Sequence, residues 1–146
     1  MIDIINLDAD FIIDKKLILS IVRKIFKEEK VKGNIEIAFV TDKEIRSLNK
    51  KYRKKDKATD VLSFGKIEDP LPQIIISLNQ VQKNAINNNI DFEEEILRVL
   101  IHGILHLKGM DHIKKNDTEK MFQKQEKYID VIINKKNGKN ANRNRN

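Results

Sequence analysis

Every histidine of this chain falls within the run His102-Gly-Ile-Leu-His106-Leu-Lys-Gly-Met-Asp-His112. His102 and His106 stand four apart, so on a helix their Cβ atoms lie roughly 5–6 Å apart on one face. Two imidazoles so placed can converge on one ion, each nitrogen about 2.0–2.1 Å from it. A helix cannot supply a third ligand from the far side of that ion. Gly109 tolerates the positive φ that turns a chain back at a helix end, and His112 then follows on the returning segment. Three neutral nitrogen donors leave a fourth tetrahedral position open, which is the catalytic arrangement; a structural site is closed by a fourth protein ligand. Asp111 can act as an acceptor that orients an imidazole, or it can stabilise the turn.

The spacing also fits the metzincin peptidase pattern His-Glu-x-x-His-x-x-Gly-x-x-His. Gly103 stands where those peptidases carry the glutamate general base. Without that carboxylate a metal-dependent peptidase lacks its proton acceptor. A glycine inside a helix costs about 1 kcal/mol relative to alanine. Its use here is room, for a bulky substrate or a neighbouring strand.

A second group is the basic run Asn49-Lys50-Lys51-Tyr52-Arg53-Lys54-Lys55-Asp56-Lys57-Ala58-Thr59-Asp60. Cations gather favourably at a helix C-terminus, and a solvated helix end accounts for many such runs. Their density, the adjacent Tyr52 and the strand that follows point to phosphate contact as well. Arginine forks two hydrogen bonds onto a phosphate; beside a metal-activated water it would stabilise charge developing on phosphorus.

These two motifs together, the second extended through Val61-Leu62-Ser63-Phe64, resemble the YbeY family of bacterial metal-dependent endoribonucleases. The resemblance runs to about Asn134. It implies one metal ion, taken as zinc, on His102, His106 and His112, and a functional Arg53. It further implies cleavage of single-stranded RNA, a role in ribosomal RNA maturation and ribosome quality control, and the ribosome or its small subunit as partner. Lys50, Lys51, Lys54, Lys55 and Lys57 would hold the RNA backbone. By ligand chemistry alone, three imidazoles suit zinc, nickel or copper. Whether water or the ribose 2′-OH attacks is left open. Where the family has Gly-Asp before its Ile-rich strand, this chain has Pro72-Gln73, so any role of that aspartate is absent or moved. Two other readings stand beside this one: a metzincin-like metallopeptidase, and a non-catalytic ribosome-binding module with a structural metal.

The elements that must position these groups follow from periodicity. Strands are expected at Ile2 to Leu7, Ile35 to Val40, Val61 to Lys66 and Gln73 to Leu78. Leu17, Ile18, Ile21, Val22, Ile25 and Phe26 recur at helical spacing. Thr41 with Glu44 forms a capping box and opens a helix to about Lys51. Asn79 to Asn88 reads as a short helix. Asp91 caps the next, with Glu93, Glu94 and Glu95 in its first turn, where the dipole favours them. That helix is apolar nearly all round, so it is expected to be central, buried, and the carrier of the histidines. A last helix opens at Asn116 or Asp117, with Met121, Tyr128, Val131 and Ile132 among its apolar positions. The order β-α-β-α-β-β-α-α-α predicts an α+β fold: a small mixed four-stranded sheet packed with helices.

The chain of 146 residues reads as one domain over 1–134 with a basic, Asn-rich and disordered tail over 135–146. The absence of cysteine excludes disulfides, thiolate clusters and thiol nucleophiles. The net charge is +7, of which Lys135, Lys136, Lys139, Arg143 and Arg145 in the tail carry five units. Local clustering is therefore the better guide to a polyanionic partner. No apolar run approaches the roughly 20 residues of a membrane span, and the first residues lack a basic n-region, so a cytoplasmic location is expected.

Overall fold

The computed structural model describes the backbone of residues 1–110 and 115–144, and the side chains of 1–110 and 118–133. The element order is β1 (Ile2–Asn6), α1 (Lys15–Glu28), β2 (Ile35–Val40), α2 (Asp42–Arg53), β3 (Val61–Phe64), β4 (Gln73–Ser77), α3 (Leu78–Asn88), α4 (Phe92–Leu107) and α5 (Lys115–Asn144). The four strands form one mixed sheet in the order β1-β2-β4-β3, giving the α+β fold expected. β1 pairs parallel to β2, β2 parallel to β4, and β3 antiparallel to β4. A parallel pair requires a crossover, and α1 supplies the one between β1 and β2.

The period of two along the strands divides the core. Ile35, Ile37 and Phe39 of β2 join Ile74 and Ile76 of β4 in the larger cluster, with α1, α3, α4 and α5. Ala38 and Val40 face the other way, with Leu62, and meet Ile45 of α2. Thus α2 covers one face of the sheet while the remaining helices cover the opposite one. In α4, Val99, Leu100, Ile101, Ile104, Leu105 and Leu107 are all buried, as its uniformly apolar composition requires.

The backbone of α5 is helical from Lys115 through Asn144. Its start at Lys115 lies just upstream of the expected Asn116.

One charged group ties the helical layer together. The Glu29 carboxylate, 6% exposed, accepts hydrogen bonds from Lys124 Nζ at 2.7 Å, Lys108 Nζ at 3.0 Å and Tyr128 Oη at 2.6 Å. Burial acts to raise its pKa, but the three donors outweigh burial and hold it at about 2. Burial, and after it the contact with Glu29, raises the pKa of the Tyr128 phenol. Because the folded-state pKa lies below the unfolded one, the unfolded chain binds more protons between about pH 4.5 and 2. This group's stabilisation is therefore complete above that window and lost as pH falls through it. Denaturant titrations across the window should show an unfolding free energy falling by about 3 kcal/mol from this carboxylate. That slope should be missing in Glu29→Gln.

Candidate active site

α4 begins behind Asp91, whose extended backbone (φ −64°, ψ 143°) fills the N-cap position without a side-chain hydrogen bond, and carries Glu93, Glu94 and Glu95 in its first turn. At its far end the backbone closes in a Schellman turn. Gly109 N–H donates to His106 O at 3.0 Å and Met110 N–H to Leu105 O at 3.2 Å. Gly109 takes φ +92°, a conformation that strains residues with a Cβ. The glycine reversal expected after the second histidine is therefore present, immediately upstream of residues 111–114.

His102 and His106 are both half-buried on α4, one turn apart. His106 lies in the last turn, where the helix dipole favours a positive charge. The Nδ1 atom of His102 lies 3.3 Å from Oε1 of Gln125 on α5. His112 and Asp111 lie outside the described residues. Among those described, no cluster of three or more His, Cys, Asp or Glu side chains is arranged to hold a metal.

Gly103 is buried between the two histidines and faces the sheet. A Cβ there would stand 3.0 Å from Ile74 Cδ1 and 3.1 Å from its Cγ2. Ile74 is fully buried in a central strand, so it has little freedom to withdraw. The room that the glycine provides is for β4. A side chain at the position of the peptidase base would enter the core, and this geometry gives the peptidase reading no support.

The basic segment lies at the end of α2. Lys54 takes the left-handed cap conformation (φ 57°), and its N–H donates to Lys50 O. Buried Asn49 pins the following loop: its Nδ2 donates to Lys57 O at 3.0 Å, and Lys55 N–H donates to Asn49 O. Asn49 thus has a structural role that the sequence alone does not reveal. Lys50, Lys51, Lys54, Lys55 and Lys57 are all exposed. Asp56, the one acid among them, is engaged by Arg46 Nε at 2.9 Å, and that bond with its charge holds the carboxyl below its ordinary pKa. Lys51 Nζ lies 5.1 Å from the centre of the Tyr52 ring, which packs edge-on against Phe64.

Arg53 connects this loop to the sheet. Its Nη2 donates to Ser63 O of β3 at 3.2 Å, and the side chain is otherwise exposed. The segment after β3 then docks on α4, Ile67 N–H donating to Leu107 O at 2.9 Å. Leu107 is the neighbour of His106. Arg53 and the histidine turn are thereby fastened to the two ends of one short stretch of chain.

A charged seam continues from the histidines along α4. Arg98 pairs with Glu94 at 3.2 Å and, from α5, with Glu126 at 3.1 Å. Buried Glu95 lies 4.0 Å from Arg98. Burial raises the Glu95 pKa against the opposing pull of Arg98, and Asp60, Glu94 and Glu126 add to the rise.

The family model described as Endoribonuclease YbeY matches residues 3–132. An Endoribonuclease YbeY of Petrotoga mobilis is 40% identical over 137 residues, covering 90% of this chain and 95% of the relative. That of Aquifex aeolicus is 44% identical over 104 residues, covering 66% and 69%. The solution structure of a Thermotoga maritima protein superposes with a TM-score of 0.70 at 32% identity, over 95% of this chain and 93% of the other.

Proposed function

The chain belongs to the YbeY family of endoribonucleases, and on that premise we propose that it is a single-strand-specific, metal-dependent endoribonuclease of ribosomal RNA maturation. As a family member it is a hydrolase acting on RNA. The finer points, a zinc ion, a ribosomal RNA precursor as substrate, the ribosome or its small subunit as partner, ribosome quality control and a cytoplasmic location, belong to this reading. No described helix is long and apolar enough to cross a membrane.

The donor set fits a metal. Imidazoles one turn apart, the second in the last turn of the helix, with a glycine reversal between them and His112 in the sequence, match the nitrogen ligation of zinc. His102, His106 and His112 would hold the ion, which when bound supplies Lewis acidity for phosphodiester hydrolysis. Arg53 would fork onto the scissile phosphate and stabilise the charge gathering on its oxygens. The exposed lysines of the α2 loop would hold flanking phosphates. Asp111, if it accepts from a ligating imidazole, would fix that ring's orientation.

The observation that carries this reading is a pair of hydrogen bonds, Arg53 Nη2 to Ser63 O and Ile67 N–H to Leu107 O, which tie the end of α2 and the histidine turn to one short stretch of chain. It supports a single site containing both cation and guanidinium. The test is cleavage of matched single-stranded RNA, duplex RNA and single-stranded DNA by the purified protein with zinc. Cuts should appear in single-stranded RNA and be suppressed in the duplex. Equal cutting of the duplex, or none in any substrate, would contradict the proposal.

A further inference from the structure

α5 presents Met121, Gln125 and Ile129 at four-residue steps to the core, exposed by only 1%, 8% and 3%. Gln125 is the amide in an apolar stripe. A buried amide is costly unless it is hydrogen-bonded, and its Oε1 lies 3.3 Å from Nδ1 of His102. The residues on either side fix it from two directions. Lys124 donates to Glu29 of α1's C-cap at 2.7 Å, and Glu126 accepts from Arg98 of α4 at 3.1 Å. Three consecutive side chains of α5 thus grip three different points, and the middle one reaches the imidazole.

A neutral imidazole carries one N–H, and the bond made by one ring nitrogen decides which nitrogen keeps a free lone pair. An oxygen acceptor at Nδ1 draws the proton there and leaves Nε2 as the donor atom. We propose that Gln125 is a positioning residue of the metal site: its amide oxygen holds His102 in the Nδ1–H tautomer, with Nε2 ready for the ion. This rests on the metal-dependent reading above. Outer partners of ligating histidines commonly set metal affinity by about 10–100-fold.

Two readouts test it, neither of them activity. In metal-free protein, nitrogen-proton correlation spectra of the imidazoles should show His102 protonated at Nδ1, a preference reduced in Gln125→Leu. Zinc dissociation constants from competition with a chelator should weaken by about 10–100-fold in Gln125→Leu. Gln125→Glu, which keeps the acceptor oxygen, should retain the affinity. A wild-type His102 protonated at Nε2 overturns the proposal, as does equally tight zinc in a folded Gln125→Leu. If Gln125→Leu does not fold, the wild-type spectrum and Gln125→Glu still decide it. Failure of the wild type to bind zinc at all is a separate result and overturns the metal reading itself, and the proposal with it.

Discussion

Replacing His106 with alanine is expected to lower single-stranded RNA cleavage by about 10³-fold or more and to empty the metal site. The cation is asked to supply several kcal/mol of transition-state stabilisation, and each 1.36 kcal/mol is tenfold in rate. Two imidazoles remaining would not hold the ion against dilution, so added zinc at modest concentration should not restore the rate. The fold should survive. His106 is half-buried in the last turn of α4, and alanine is the best helix former. The apo variant should therefore melt close to the apo wild type. Metal analysis, a melting curve and a cleavage rate on one preparation check all three points. A non-catalytic module with a structural metal predicts the reverse pattern, in which the variant loses stability and no cleavage is there to lose.

Arg53→Ala should lower kcat/KM for RNA by about 10²–10³-fold, the usual cost of removing one donor to developing oxyanion charge. Its metal content should remain that of the wild type. The side chain is exposed and makes one hydrogen bond, to Ser63 O, so stability should change by no more than about 0.5 kcal/mol. Arg53→Lys should recover only a part of the rate. An ammonium restores the charge but not the planar fork that grips two phosphate oxygens. Steady-state cleavage of a short single-stranded RNA by the three proteins, with zinc content measured in parallel, decides it. An Arg53→Ala enzyme at wild-type rate would remove this residue from the site.

The elements around the site were legible because each carries local signals. The boundaries of α4 follow from three acids in its first turn and Gly109 just beyond its end, and the Thr41–Glu44 capping box marks α2. Gly103 could be read as a demand for space, and Ile74 of β4 is what claims it. What sequence could not give is set by contacts between distant segments. The strand order places β4 between β2 and β3, and no local pattern encodes that insertion. Glu29 looks like an ordinary acid at a helix end until Lys108, Lys124 and Tyr128 arrive from 79 to 99 positions away. Gln125 was similarly hidden. An amide at a core-facing position of α5, between Met121 and Ile129, is the available signal, but an apolar pattern, with Met121, Tyr128, Val131 and Ile132 among its positions, counts no polar side chain. Of these Val131 is 39% exposed, while Ile129 is buried. Met121, Tyr128 and Ile132 do pack on the core, and they bracket position 125 on one face of the helix.

Removing the metal from the wild-type protein and returning it in measured amounts tests the account most directly. Chelated and dialysed protein should leave single-stranded RNA intact, and cleavage should return in proportion to added zinc until one equivalent per chain is bound. Full cleavage by the metal-free protein, or restoration that needs no site containing His102 and His106, would contradict it.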